Sequence, residues 1–191
     1  MPALDDLLAE LTSGDESRAE AAVPALAKLG AQAVAALARL LDSPDADSRW
    51  WAVRALASHP DLDVDLLLRA LADAAPEVRQ AAALGLCSHP HERAIQPLVR
   101  ALSDADSLAA DLAAKALVAV GRPAVESLIE VQKDANMSAR ILSMRALAEI
   151  ADPRAVPVMM SAIEGESSML YHWAEVGLER LGLNMVYLKP E

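Results

Sequence analysis

Apolar residues recur along this chain at the three- and four-residue spacing of a helix with one buried face. In one set of six segments, a small residue is followed four positions later by another apolar residue, usually leucine. The small residues are Ala21, Ala52, Ala82, Ala113, Ser143 and Ala174, and the residues that follow them are Ala25, Leu56, Leu86, Leu117, Leu147 and Leu178. Each segment is therefore predicted to be an α-helix whose apolar stripe faces a core.

A second set of predicted helices alternates with the first. Each apolar stripe in this set begins with a β-branched residue, continues with leucine or methionine three positions later, and ends four positions after that. The three rungs are Val34, Val64, Ile95, Val125 and Val156; Leu37, Leu67, Leu98, Leu128 and Met159; and Leu41, Leu71, Leu102, Gln132 and Ile163. Gln132 is the one polar residue in these rungs, so this set also presents an apolar face to a core.

The pair of helices repeats every 30 or 31 residues, and the first helices share an arginine at Arg18, Arg49, Arg79 and Arg140. Self-similarity at this period is typical of stacked repeat proteins, in which each unit buries its apolar face only against its neighbours. The sequence predicts an all-α fold, a right-handed α-solenoid of about six helical hairpins. Function is then expected on the surface of the array.

The repeat also sets the expected domain organisation. No linker rich in Gly, Ser or Pro interrupts it, so residues 1–191 are predicted to form one domain. Residues 1–12 are predicted to be a partial capping unit, and residues 183–191 a tail that covers the last apolar face or docks on a partner. Asp and Ser between units are expected to cap the helices that follow. Pro24 lies inside a predicted helix, which it is expected to kink or break.

The chain is acidic, with a formal net charge of −11 at pH 7. Nucleic-acid binding depends on Lys and Arg side chains that neutralise phosphates, so no nucleic-acid partner is expected. The N-terminal segment is acidic and no apolar run reaches the ~18 residues of a membrane span, which predicts no span and a cytoplasmic location. A lone Cys87 cannot form an internal disulfide and agrees with a reducing compartment.

The repeat resembles the HEAT-like repeats named after phycobilisome (PBS) lyases. Those repeats combine an acidic turn with V-R-x-x-A-A-x-A-L-G and then A-[VI]-x-x-L-[IV]-x-x-L-x-D. The nearest match is EVRQAAALGLCSHPHERAIQPLVRALSD, residues 77–104, and the resemblance covers roughly residues 13–182. Members of this family include bilin lyase subunits, phycobilisome-degradation factors and interaction scaffolds. Ala110 and Tyr171 replace the repeat arginine, and no segment matches a lyase active-site motif, so no catalytic residue is carried over.

A polar ladder on the second helices is the candidate binding surface. It consists of Arg39, Asp65, Arg69, Gln96, Arg100, Glu126 and Glu130. With stacked helices ~10 Å apart, neighbouring arginines would repel by only about 0.4 kcal/mol in water. In the resembled family this face is usually concave, so the ladder predicts a groove for a partner protein or a carboxylate-bearing ligand. Alternatively, Asp65 pairs with Arg69 one turn away and the remaining residues are only solvated.

Trp50 is a further candidate for partner binding. Successive helical residues are ~100° apart, so Trp50 is expected to point outward and Trp51 sideways, without sharing a face. Large aromatic residues are enriched at binding hot spots, although the Trp50 ring could instead cover a gap between neighbours. The first-helix arginines are expected to bridge one unit to the next. Cys87 and His89 lack the ligand spacing of a zinc site, so no metal is predicted.

The leading functional prediction is a non-enzymatic scaffold that binds a partner protein or peptide along the concave helix face, without a cofactor. The alternative is a protein that binds a bilin or another tetrapyrrole, in which Arg39, Arg69 and Arg100 hold propionates and Trp50 or Trp51 contacts the macrocycle. Any enzymatic activity would be bilin lyase-like. Homo-oligomers could form through the array ends or the tail. A base-excising enzyme would need a basic groove, which this acidic chain does not offer.

Overall fold

The computed structural model describes residues 3–60 and 62–183. These residues form twelve α-helices and three short 3₁₀ helices, and no strand occurs among them. The all-α prediction is therefore confirmed. The chain divides into two compact units, Met1–His89 and Pro90–Glu191. The single-domain organisation stays a prediction, and the predicted tail lies outside the described residues from position 184 onward.

Unit 1 holds six of the helices. They are α1 (Leu4–Leu11), α2 (Glu16–Ala27), α3 (Ala31–Leu40), α4 (Ala46–Leu56), α5 (Val64–Ala70) and α6 (Pro76–Ser88). The first helices stack on one another, α2 on α4 and α4 on α6, while α3 contacts α4 and α5 contacts α6. Helix α1 packs on α2, and its Leu7 and Leu11 are buried.

Unit 2 holds the other six. They are α7 (Ile95–Ala101), α8 (Ser107–Val120), α9 (Val125–Asp134), α10 (Met137–Ile150), α11 (Val156–Ile163) and α12 (Ser168–Arg180). A 3₁₀ turn precedes each of α7, α9 and α11. The stacking of unit 1 recurs here, because α10 lies between α8 and α12, α7 contacts α9, and α11 contacts α12.

The predicted rungs of the first helices form the centre of each core. The larger residues are fully buried at Leu56, Leu86, Leu117, Leu147 and Leu178. The small residues beside them are also fully buried, and Ser143 is satisfied there because its hydroxyl donates to the Leu128 carbonyl oxygen at 2.7 Å. Small side chains at these positions allow neighbouring helices to approach closely.

The alignment of the first unit was wrong by one residue. Ala21 is exposed, and the buried residues of α2 are instead Ala22 and Leu26, each 30 residues before its equivalent in α4. The shift moves Arg18 out of the repeat position. Its guanidinium pairs with Glu10 of α1, at 2.5 Å from Nε to Oε2.

The first rung of the second helices also needs a correction. Val34, Val64, Ile95 and Val156 are only partly buried, and Val125 alone of that rung is buried. The fully buried residue lies one position earlier, at Ala33, Ala94, Ala124 and Ala155. The leucine rung that follows is confirmed, with Leu37, Leu67, Leu98, Leu128 and Met159 all fully buried.

Pro24 does not end its helix, contrary to the prediction. Helix α2 continues from Glu16 to Ala27 with Pro24 inside it. Pro24 cannot donate to the carbonyl oxygen of Glu20, but both residues are exposed, so water can bond that oxygen. The predicted acidic and hydroxyl caps are present on most first helices; for example, Asp45 accepts from the Ser48 N–H at 2.8 Å.

A largely buried ion pair in unit 1 connects α4 to the loop between α5 and α6. Arg49 of α4 donates through Nε and Nη2 to the two carboxylate oxygens of Asp73, each at 2.8 Å, and both side chains are 13% exposed. Asp73 lies in the loop between α5 and α6, so the pair joins one hairpin to the next. Hydrogen bonds from Arg49 hold the pKa of Asp73 below its usual range. At this position the structural role predicted for the repeat arginines is confirmed.

Candidate functional site

The predicted polar ladder is only partly available for binding in unit 1. Arg69 is held by an ion pair with Asp42, at the C-terminal end of α3. Arg39 is exposed and has no hydrogen-bond or ion-pair partner among the described residues. It lines a shallow hollow of about 410 Å³ together with Asp42 and Leu8. Asp65, in the first turn of α5, donates its backbone N–H to Asp63.

In unit 2, most of the ladder is engaged by neighbouring side chains. The Gln96 amide donates to the Ser127 hydroxyl at 3.0 Å, and Lys133 pairs with Glu130 at 2.7 Å. Glu126 pairs with Arg154 at 3.2 Å. Arg100 is exposed and, within the part of the chain that the structure describes, has no partner. Arg39 and Arg100 are therefore the two ladder cations free to meet an external anion.

A buried carboxylate anchors Arg154 behind Glu126. Asp152 is 3% exposed and accepts from the backbone N–H and the guanidinium of Arg154, and from Nε of Arg122 at 2.9 Å. The pKa of Asp152 is held far below its usual range, mainly by the hydrogen bonds that Arg154 donates to the carboxylate. The acidic end of the ladder is thus part of an internal charge network, which sequence spacing did not reveal.

The two tryptophans lie differently from the prediction. The rings of Trp50 and Trp51 touch edge to face, with centroids 4.8 Å apart and planes at 89°, and both are half-buried. Their side chains are long enough to meet although the backbone positions are ~100° apart. Together they line a hollow of about 320 Å³, whose rim includes Glu16, Asp45 and Asp47. An acidic rim favours a ligand that brings N–H groups or positive charge to the rings.

His89 contacts the backbone of the preceding hairpin. The His89 ring nitrogen Nε2 lies 2.8 Å from the Ala57 carbonyl oxygen, one hairpin earlier. Across residues 3–60 and 62–183, no three His, Cys, Asp or Glu side chains are grouped so that they could hold a metal ion. The same residues include no helix with both the length and the hydropathy needed to cross a bilayer.

Sequence reasoning missed a cavity of about 330 Å³ in unit 2, here called the Arg140 cavity. It lies among α9, α10, α11 and the loop before α12. Its wall contains Gln132, Met137, Arg140, Met144, Val158, Ser161, Ala162, Gly165, Glu166, Ser167 and Leu170. The signals that could have found it are Gln132, the polar residue in an apolar rung, and the absence of an Asp in the loop that faces Arg140.

Comparison with known families matches residues 64–136 to HEAT repeats and residues 139–165 to the PBS lyase HEAT-like repeat. The chain belongs to the HEAT-like repeat proteins. This family assignment confirms the resemblance stated from the sequence. A HEAT-like repeats protein from Thermococcus onnurineus NA1 superposes with a TM-score of 0.64 over 94% of this chain and 80% of that one, at 13% identity. That likeness confirms the solenoid fold class.

Two further similarities concern function. The bilin biosynthesis protein RpcF of Synechococcus sp. (strain WH8020) is 42% identical over 97 residues, 48% of this HEAT-like chain and 46% of RpcF. The complex of CpcE and CpcF of phycocyanin lyase from Nostoc sp. PCC7120 matches with a TM-score of 0.59 and 27% identity, over 75% of this chain and 97% of that one. Alignments with the curated relatives span 34–46% of those proteins.

These similarities overturn the leading functional prediction. That prediction was a non-enzymatic scaffold for a partner protein or peptide. The names of these relatives refer instead to bilin biosynthesis and phycocyanin lyase. Repeat period and patterning could not make this distinction, because every member of the fold needs the same buried rungs. The tetrapyrrole alternative agrees better with the comparisons.

Proposed function

We propose that this HEAT-like chain handles a bilin, as one subunit of a lyase-type assembly that includes a second protein. The single observation that carries the proposal is the 42% identity to RpcF over 97 residues. The likeness to the CpcE–CpcF complex supports it, because that structure combines two proteins of a phycocyanin lyase. The bilin is then the substrate or cargo of this chain.

The geometry of unit 1 offers bilin contacts that the sequence already singled out. A linear tetrapyrrole carries propionate carboxylates and pyrrole N–H groups on a large flat π system. The free guanidinium of Arg39 suits a propionate, and the Trp50–Trp51 pair with its acidic rim suits a ring system that bears N–H groups. Arg69 is less available, because Asp42 already neutralises it.

Arg100 is the corresponding free cation in unit 2. Both Arg39 and Arg100 are exposed, so each would contribute only a modest, salt-sensitive share of the binding energy. The apolar and stacking contacts with tryptophan would contribute more of it. Weaker binding at high salt, with most of the affinity retained, would agree with this division.

Tryptophan fluorescence tests the proposal at the level of residues. Phycocyanobilin should quench the emission of the purified chain in a saturable way, and Trp50→Leu should weaken binding more than Trp173→Leu, the matched control in the last helix. Arg39→Gln should weaken binding several-fold at low salt and little at high salt. Absence of saturable quenching would refute the proposed function. Equal affinities for the two tryptophan variants would leave bilin binding in place and remove Trp50 from the site.

A further inference from the structure

The wall of the Arg140 cavity contains two buried polar atoms that lack hydrogen-bond partners within the described residues. Oε1 of Gln132 and Nε of Arg140 are buried and have no hydrogen-bond partner among the described residues. Gln132 is only 8% exposed. In native proteins, buried polar atoms are nearly always paired, so each of these exceptions calls for a physical reason.

The hydrogen bond made by Nε2 fixes the orientation of the Gln132 side-chain amide. Nε2 donates to the Arg140 carbonyl oxygen at 2.8 Å. That oxygen can only accept, so the amide nitrogen faces it, and Oε1 is the atom left over. The cavity wall therefore presents one unused acceptor, Oε1 of Gln132, and one unused donor, the Nε–H of Arg140.

The repeat of Arg140 carries no carboxylate at the position that would correspond to the partner of Arg49. In unit 1, Arg49 of α4 is neutralised by Asp73, in the loop that follows the next helix, α5. An aspartate recurs at the repeat spacing where the second helices end, at Asp42, Asp73, Asp104 and Asp134. The residue that continues this series 31 positions later is Gly165, which lines the same cavity as Arg140.

The rest of the cavity wall is mostly apolar, with hydroxyl groups from Ser161 and Ser167. Met144 is 1% exposed and Leu170 is 4% exposed, so the inner wall is apolar and buried. Glu166 also lines the cavity, but it is exposed and forms no ion pair with Arg140 within the described residues. A ligand for this site should therefore carry an anionic group that meets Arg140 and, next to that group, an apolar part that contacts the rest of the wall.

We propose that the Arg140 cavity binds the carboxylate of an apolar ligand, which takes the place that Asp73 occupies beside Arg49. Resting on the proposed function, we name that ligand group as a propionate of the bilin. Gln132 Oε1 then accepts an N–H from the adjoining ring. At about 330 Å³ the cavity is near the lower end of small-molecule sites, so it holds one arm and its ring rather than a whole tetrapyrrole.

This site differs from the exposed cations of the polar ladder in its surroundings. Arg39 and Arg100 are exposed to water, which screens their attraction to a carboxylate. In the Arg140 cavity, the guanidinium Nε is buried beside apolar side chains, and a charge-assisted hydrogen bond is stronger in such surroundings.

Residue 165 provides a sharp test because it can restore the missing carboxylate. A Cβ at this position would lie 3.4 Å from the Ala162 carbonyl oxygen, an ordinary contact, so a side chain fits. Gly165→Asp should pair with Arg140, raise the melting temperature and block the cavity. Gly165→Ala is the matched control, because it adds the Cβ without the charge. Arg140→Met removes the guanidinium and keeps the length of the side chain.

The first arm uses 3-phenylpropionate as a probe that is independent of tetrapyrroles. In the protein labelled with ¹³C-methyl methionine, the probe should shift the Met144 methyl resonance in a saturable way. Arg140→Met and Gly165→Asp should each weaken binding by about tenfold or more, the loss expected for a charge-assisted hydrogen bond, while Gly165→Ala binds like the wild type. An unshifted Met144 signal, or equal binding by all four proteins, would overturn the carboxylate site.

The second arm compares biliverdin with its dimethyl ester by visible absorption. If the diacid binds more tightly and Arg140→Met reduces that preference, the propionate assignment holds. If both pigments leave the spectrum unchanged while 3-phenylpropionate still binds, the proposed function fails and bilin is removed as the ligand. If biliverdin binds equally well to the wild type and Arg140→Met, the proposed function survives and the propionate assignment is overturned.

Discussion

Removing Asp73 is the perturbation whose cost can be worked out most directly from the structure. Asp73→Ala leaves the guanidinium of Arg49, which is 13% exposed, without its carboxylate. Breaking a buried ion pair from one side typically costs 3–5 kcal/mol. Arg49 keeps two acceptors, the carbonyl oxygens of Ser43 at 2.9 Å and Pro44 at 3.2 Å, so the expected loss is near the lower limit, about 3 kcal/mol.

A double-mutant cycle separates the pair from other effects of the substitution. Asp73→Ala, Arg49→Met and the double variant are unfolded in urea and followed by circular dichroism, with a coupling energy of at least about 1.5 kcal/mol expected. The matched control is Arg54 with Glu20, which has the same 2.8 Å distance but is 41% and 53% exposed. That pair should couple by about 0.2–1 kcal/mol. Equal coupling in the two cycles would refute the role assigned to burial.

The same pair predicts a pH dependence with a definite sign. Hydrogen bonds from Arg49 lower the pKa of Asp73 in the folded chain, whereas the unfolded chain titrates near about 3.9. The unfolded state therefore binds this proton first, so the stabilisation is complete above that value and is lost as pH falls through the folded pKa. The stability difference between the wild type and Asp73→Ala should be constant from neutral pH to about pH 5 and should shrink below pH 4. A difference that grows on acidification would contradict this assignment.

Three further substitutions test the packing of the repeat. Ala113→Leu places three extra carbons at a fully buried helix contact and should lower the free energy of unfolding by roughly 1–3 kcal/mol in urea titrations; wild-type stability would place residue 113 outside the contact. Gly177→Ala should destabilise by about 1–3 kcal/mol despite its better helix propensity, because the new Cβ would lie 3.0 Å from the Ala148 Cα; a rise in melting temperature would show that the helices separate easily. Ser143→Ala should cost about 1 kcal/mol, since it removes the donor to the Leu128 carbonyl oxygen, and a neutral effect in the same titration would mean that water replaces the hydroxyl.

Much of the fold could be predicted because burial in a repeat protein leaves a periodic record. Leu37, Leu67 and their equivalents lie where the pattern placed them, since a large residue at each repeat position must face the same core. The failures occurred where the repeat pattern is ambiguous. Arg18 was assigned to the repeat position although the true register of α2 is one residue later, because alanines fill both candidate positions. The break that Pro24 was expected to cause is absent, because α2 continues through it to Ala27.

The candidate site was harder to predict, because it depends on departures from the repeat. Arg140 looks like every other repeat arginine in the sequence, and only the position of Gly165 distinguishes it from Arg49. The contact between Trp50 and Trp51 could not be predicted either, because the sequence pattern gives the direction of each backbone position and not how far a long side chain extends. Function itself was predicted only as an alternative, because a shared core says nothing about which ligand a surface selects.

The most direct test of bilin handling is the visible spectrum of phycocyanobilin titrated with the intact wild-type chain, beside a designed helical repeat protein of the same fold. Bilin handling predicts a shifted absorption band that saturates with this chain and is absent with the designed protein. A spectrum that stays unchanged at protein excess, or that changes equally with both proteins, would contradict it.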